Sequence, residues 1–438
     1  MKLYKFEDFV RLANLFYTSL GIEPYALGQS TKWQIFCRYL IFYFQIINLS
    51  SMVVCEVTYV FLAFRNDNNF LEATMIMSYI GFVLVGIFKM LSIWRQRSLL
   101  TTFVQELLHI FPQTPEQQRL YNLDIYVRQC TRVTVCFSLL YMLLIWTYNL
   151  FAILQYVIYE RWLMWRVVGK QLPYTMYILW DWHDHWSYYP LYALECIAGF
   201  TSAAGQISCD LLLCAFATQL IMHYDYVSRS LAMYEVKTRQ KFRDPRKAMA
   251  EDMKFLRKII AYHANVLSLS ELMNEVFGVA LFFNFMASSF VICFVGFQMT
   301  MGADPDTLFK LFLFLFTSAS QVYLISHYGQ QLIDASFNIA TAVYNQQWYN
   351  ADIGYKKMLV LIAARAQKPV ELQATKFVLI SRGTMTDFSE CEVKNRSSKC
   401  VVMQSDKTKR TPSQDVMDFE SRIDRGFAIW TIVLSRRV

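Results

Sequence analysis

Residues 191–224 read LYALECIAGFTSAAGQISCDLLLCAFATQLIMHY, a run of 34 residues with no Lys or Arg and only two carboxylates, Glu195 and Asp210. A chain crosses hydrocarbon only where each backbone N–H and C=O is bonded internally, which a helix of about 20 apolar residues achieves. At 1.5 Å per residue this run makes a helix of roughly 50 Å, longer than a bilayer core of about 30 Å. Its C-terminal end is therefore expected to project into the cytoplasm.

Working outward, five more runs have the same character. Residues 39–64 contain one charge, Glu56, and residues 74–94 contain one, Lys89. Residues 133–158 and 276–299 contain none, and residues 307–327 carry Lys310 near their start. A short seventh candidate begins at Phe377 and stops at Ile380. These runs explain why a chain of 438 residues is 55% hydrophobic and 16% aromatic but only 17% charged, against about 25% in a soluble domain. The start, MKLYKFEDFVRLANLFYTSL, carries charges throughout, so no cleavable signal peptide is expected.

Lys and Arg near the ends of the runs set the orientation. Segments 1–38, 95–132, 225–275 and 328–376 carry 25 of them, and the intervening segments carry four, Arg65, Arg161, Arg166 and Lys170. The N-terminus is thus expected in the cytoplasm. With seven helices the C-terminus would lie outside; with six it would lie in the cytoplasm, and the sequon Asn395-Arg396-Ser397 would never meet the glycosylation machinery.

This orientation is opposite to that of a G-protein-coupled receptor. The third run ends in Gln155-Tyr156-Val157-Ile158 without Asp-Arg-Tyr, and Asn-Pro-x-x-Tyr is absent. None of the nine prolines lies inside a membrane run, which argues against a transporter with broken helices. A Gly-rich phosphate loop, a His-x-x-x-His pair and a nucleophile elbow are all missing, so neither an enzyme nor a cofactor is expected. No nucleic-acid partner is expected. Cys55, Cys136, Cys196, Cys209, Cys214 and Cys293 lie in or beside the membrane and read as packing residues, not as a disulfide framework. His183 and His185 flank Asp184 in a Trp-rich loop; a metal site there is the minor reading.

The segments between runs are not simple loops. Residues 225–275 mix both charge signs with Leu231, Met249, Phe255, Ile259, Leu267 and Leu272, a helical pattern. Residues 328–376 repeat it with Leu332, Ile339, Val343, Trp348, Met358 and Ile362. Both predict helices extended below the membrane and packed into an intracellular bundle. Residues 383–425 are polar and are expected to lack a packed core. Residues 426–434 are apolar but too short to span.

Tyr328-Gly329 closes the sixth run. Ser336, Ala342 and Tyr344 follow, then Trp348-Tyr349, Asp352 and Arg365-Ala366-Gln367-Lys368-Pro369. In these residues, their spacing and the order of features over residues 1–380, the chain resembles the insect odorant receptors. The resemblance implies a seven-helix, all-α membrane protein that binds a small volatile organic molecule and acts as a subunit of a ligand-gated, non-selective cation channel. It implies a heterotetramer with a shared coreceptor in the plasma membrane of the olfactory sensory neuron dendrite, its last helices lining the pore. One departure is plain. Phe377-Val378-Leu379-Ile380-Ser381 is expected to begin the seventh helix, but from Ser389-Glu390-Cys391-Glu392 onward the chain reads as unrelated sequence, such as a retained intron or an alternative last exon. Pore-lining residues are therefore not assigned. A gustatory receptor and a non-conducting splice product lacking the pore helix are the alternatives.

The expected organisation is a cytoplasmic N-terminal segment (1–38), helices 1–4 with the ligand-binding outer half (39–224) and a cytoplasmic helical loop (225–275). Helices 5–6 (276–327), cytoplasmic anchor helices (328–376) and a seventh-helix start with an atypical tail (377–438) complete it. An odorant pocket should be apolar and aromatic with a few polar groups. Outer-half candidates are Met75, Tyr79 and Phe82; Trp146, Thr147 and Leu150; Tyr192, Glu195 and Phe200; and Phe312 and Phe316, with Phe309 beside them. Tyr79 and Trp146 stand first, since each adds a hydrogen-bonding tip to an apolar body. Of the intramembrane charges, Lys89 is expected to snorkel, Asp210 to pack against a base on the cytoplasmic side, Glu195 to face the pocket mouth, and Glu56 to matter less. Trp348, Tyr349, Arg365, Gln367, Lys368 and Pro369 are the expected subunit-assembly residues.

Overall fold

The computed structural model describes residues 3–28, 31–65, 70–164, 170–182, 185–237, 245–300, 305–374 and 378–380. His183, Asp184, Phe377, the polar tail and the sequon lie outside the described residues.

The chain is built from helices. A short amphipathic helix α1 (Glu7–Ser19) precedes α2 (Lys32–Arg65) and α3 (Phe70–Arg95). Next come α4 (Arg97–Ile110) and the single turn α5 (Pro115–Leu120), which starts at a capping box between Thr114 and Gln117 with Pro115 at its first position. Helix α6 (Leu123–Gln155) runs on into a π-helical stretch, Tyr156–Trp162. The long helices α7 (Tyr188–Met233), α8 (Pro245–Thr300) and α9 (Pro305–Asn345) follow, then α10 (Ile353–Ala366). Among the described residues, six helices are long and apolar enough to cross a membrane: α2, α3, α6, α7, α8 and α9. The last three hold 46, 56 and 41 residues, far more than the roughly 20 that a bilayer requires.

Helix α7 is the axis of the molecule. Every residue from 201 to 224 is buried, and α1, α2, α3, α6, α8 and α9 all pack on it. Its composition explains the position. A helix that is apolar all round buries best at the centre, and the small residues Ala198, Ala203, Ala204, Gly205 and Ser208 let neighbouring backbones come close. Helix α2 is the opposite case: Ile47, Val54 and Phe61 are exposed, as suits side chains that face lipid.

Beyond the bilayer-length parts, the extended ends of α7, α8 and α9 carry the rest. Tyr224 Oη shares a hydrogen bond with Ser270 Oγ at 2.8 Å, joining α7 to α8. Helix α10 packs on α9, opened by Asp352, whose side chain accepts from the Gly354 amide at 2.9 Å.

One expectation is corrected at the end of the described chain. Val378–Ile380 does not start a helix. It forms a strand, β2, antiparallel to β1 (Leu372–Ala374), with Leu372 opposite Ile380. Pro369 restricts the residue before it to extended backbone and so ends the helical path. The Ile380 carbonyl then lies so close to α9 that a Cβ on Gly329 would come within 2.6 Å of it. That contact explains the glycine in the Tyr328-Gly329 pair.

Candidate functional site

A nearly apolar, partly open cavity lies between α2, α3, α6, α7 and α9. Each helix offers one face at helical spacing: Leu49, Met52 and Glu56 from α2; Tyr79, Phe82 and Val83 from α3; Leu144, Ile145 and Tyr148 from α6. Helix α7 gives Ala198, Gly199 and Ser202, α9 gives Phe314, and the segment before α7 gives Tyr174.

The wall is an aromatic cluster. The Tyr79 ring meets Tyr148, Tyr174 and Phe314 with centroids 5.6, 6.2 and 6.1 Å away. Phe82 stands edge-on to Phe314 at 5.3 Å, and Tyr148 stacks on Tyr174 at 6.3 Å. These are favourable edge-to-face and offset arrangements.

Tyr174 closes one end of the cavity and is held by a polar lattice. Its amide donates to Glu195 Oε2 at 3.1 Å and its hydroxyl donates to Asn149 Oδ1 at 3.1 Å. Asn149 Nδ2 donates to the Cys196 carbonyl at 3.2 Å, and the Tyr192 hydroxyl donates to the Asn149 carbonyl. Burial first, then Tyr79, Cys196 and the Glu195 and Glu56 carboxyls, hold the Tyr174 phenol well above its ordinary pKa, so it remains a neutral donor. Gly199 makes room for it: a Cβ there would lie 2.3 Å from Tyr174 Oη.

The structure separates the sequence-derived candidates. Tyr79 and Phe82 line the cavity. Tyr192 and Glu195 are buried behind Tyr174, Phe200 is half-buried against the main core, and Met75 is half-buried on α3. Trp146, at 65% exposed, and Leu150 point away from the cavity, while the Thr147 hydroxyl bonds back to the Leu143 carbonyl at 2.8 Å. Phe309, Phe312 and Phe316 share an outward face of α9. On α6 and α9 the inner faces are instead Tyr141–Leu144–Tyr148 and Leu311–Phe314–Ser318. The signal that marks them is polar: Ser138, Tyr141 and Tyr148 repeat on one face of α6, and Thr317, Ser318 and Gln321 on one face of α9, all buried. Glu56 is another cavity residue that the sequence reading had set aside.

The intramembrane charges also move. Lys89 does not snorkel: it is 1% exposed and paired with Asp210, which is 1% exposed as well. The expectation that Asp210 packs against a base thus describes this pair.

The Arg365-Ala366-Gln367-Lys368-Pro369 stretch closes α10. Gln367 N donates to the Ala363 carbonyl at 3.0 Å, and Arg365 Nη1 donates to the Lys368 carbonyl at 3.0 Å. Ser336 on α9 accepts from the Val370 amide at 2.9 Å. Ala366 is buried, whereas Arg365, Gln367, Lys368, Trp348 and Tyr349 are exposed and Pro369 is half-buried.

The sequence model of the 7tm odorant receptor family matches residues 69–387. The chain belongs to the odorant receptor family. Drosophila melanogaster odorant receptor 85b is 49% identical to this receptor over 388 residues, covering 89% of this chain and 97% of that one. Odorant receptor 85c of the same species is 47% identical over 386 residues, 88% and 97% of the two chains. The fold of the receptor is similar to that of olfactory receptor OR5 from Machilis hrabei, with TM-score 0.73, 13% identity and coverage of 88% and 95%. A structure of that protein in complex with eugenol matches with TM-score 0.72. The receptor is a multi-pass membrane protein with an all-α bundle, of a family of receptors and not of enzymes.

Proposed function

We propose that this receptor is a subunit of an odorant-gated, non-selective cation channel, opened by a small volatile molecule and assembled with a coreceptor as a heterotetramer. The observation that carries the reading is the aromatic cavity walled by Tyr79, Phe82, Tyr148, Tyr174 and Phe314, whose apolar, aromatic lining suits a small organic ligand. Eugenol, the ligand of the Machilis hrabei receptor, is such a molecule. The N-terminus and the extended ends of α7–α9 are read as cytoplasmic from the Lys and Arg bias. The exposed Trp348, Tyr349, Arg365, Gln367 and Lys368, with half-buried Pro369 beside them, form the proposed subunit-assembly surface. The proposed location is the plasma membrane of the olfactory sensory neuron dendrite.

Co-expression with the coreceptor tests this. An odorant-evoked cation current that the coreceptor alone does not give is the expected result. Silence at normal surface delivery overturns it and favours a non-conducting product. That second reading draws on β2, which takes an extended path at Val378–Ile380 where the seventh helix was expected.

A further inference from the structure

The fold leaves two buried polar atoms of the cavity wall unpaired. Glu56, on α2, is 4% exposed, and its Oε2 has no hydrogen-bond partner among the described residues. Ser202, on α7, is also buried, and its Oγ has none either. Nearly all buried polar atoms find a partner, because leaving one dry and unpaired is costly. Two hydroxyls of the wall are already committed. The Tyr148 hydroxyl donates to the Lys310 carbonyl at 3.3 Å, and the Tyr174 hydroxyl donates to Asn149. None of the lining residues is Lys, Arg or His. Glu195, behind the wall, is close enough to act electrostatically on Glu56, and its Oε1 is unpaired too. The cavity therefore presents an unpaired carboxyl group ringed by aromatic faces, with no cation among the lining residues.

We propose that Glu56 is the polar anchor of this cavity, and that the ligand class it selects is a small apolar molecule with a hydrogen-bond-donating head, an alcohol or an amine. The inference rests on the reading of the cavity as the odorant site. The ligand's O–H or N–H donates to Glu56 Oε2 while its hydrocarbon body lies against Tyr79, Phe82 and Phe314. An amine gains further from the π faces of the surrounding rings. A site built to meet a donor discriminates strongly against an analogue without one, because the buried acceptor is then left unpaired. Ser202 supplies the second polar contact in the same cavity.

The test is binding of hexanol, hexylamine, hexanal and hexane to the purified full chain in lipid nanodiscs, a readout that does not need a conducting pore. The expected result is that hexanol and hexylamine bind tighter than hexanal and hexane, and that Glu56→Leu weakens hexanol and hexylamine by about tenfold or more while leaving hexanal within about threefold. If Glu56→Leu does not fold, Glu56→Gln decides: the neutral acceptor that it keeps should spare hexanol and weaken hexylamine about tenfold relative to hexanal. Equal weakening of all four ligands, or no weakening, overturns the anchor. If Tyr79→Ala still weakens binding in that case, the cavity reading survives without Glu56. If neither variant changes binding, both readings fall.

Discussion

Lys89 Nζ lies 2.7 and 2.9 Å from the two carboxylate oxygens of Asp210, a bidentate contact across the α3–α7 interface in the middle of the bundle. Gln321 of α9 joins it, with Nε2 at 2.5 Å from Asp210 Oδ2 and 3.0 Å from Asn284 Oδ1 of α8. Gln206, one turn along α7, donates to the Phe82 carbonyl at 2.7 Å, so this polar knot reaches the backbone of a cavity residue. Four helices thus share one buried network. Breaking it by removing one charge leaves the other uncompensated, which costs about 3–5 kcal/mol in a protein interior. Asp210→Asn or Lys89→Met alone should lower the melting temperature of the purified receptor sharply. The pair Lys89→Met with Asp210→Asn should be less destabilised than the sum of the two. Additive losses in a double-mutant cycle would show that the pair is not coupled.

Tyr79 and Trp146 divide cleanly. Tyr79→Ala removes the ring that touches Tyr148, Tyr174 and Phe314 at once, and contacts of this kind contribute about 0.5–1.5 kcal/mol each beyond area. The concentration for half-maximal odorant current should rise by about tenfold or more. Trp146→Ala, on the outward face, should leave dose–response curves unchanged. A large shift for Trp146→Ala at normal surface level would place the ligand elsewhere.

Gly199 and Tyr174 are fitted to one another. In Gly199→Ala the new methyl collides with the Tyr174 hydroxyl, and also lies 3.0 Å from Asn149 Oδ1. Overpacking of this sort costs about 1–3 kcal/mol. Odorant sensitivity should fall, and Tyr174→Phe in the same chain should restore part of it by removing the clashing oxygen. Absence of rescue in the double variant would mean that the damage comes from another contact.

At the far end of the bundle, packing and assembly make separable predictions. Gly329→Ala drives a methyl toward the Ile380 carbonyl and should lower thermal stability by about 1–3 kcal/mol. Trp348→Ala with Tyr349→Ala removes exposed rings and should leave the melting temperature unchanged while reducing co-purification with the coreceptor, as truncating interface aromatics does. Undiminished co-purification would remove these two residues from the assembly surface.

Much of the fold was legible in the sequence because hydropathy and charge are local quantities. Six apolar runs with at most two charges each predict six crossing helices, and the mixed apolar and polar pattern in 225–275 and 328–376 predicts helices that continue beyond the bilayer. The motif from Tyr328-Gly329 to Pro369 carried the family. What sequence alone could not assign was the rotation of each helix. In water an amphipathic stripe points at the core, but lipid is as apolar as the core, so Phe312 and Phe314 look alike although one faces out and the other lines the cavity. Only the packing around α7 decided which face of α6 and α9 turns inward. The partners Lys89 and Asp210 stand 121 residues apart in the chain, and only the crossing of α3 and α7 brings them together. Tertiary structure likewise set Glu56 in a wall without a cation and turned Val378–Ile380 into a strand beside Gly329, because contacts between distant segments, not local preference, fixed each of these positions.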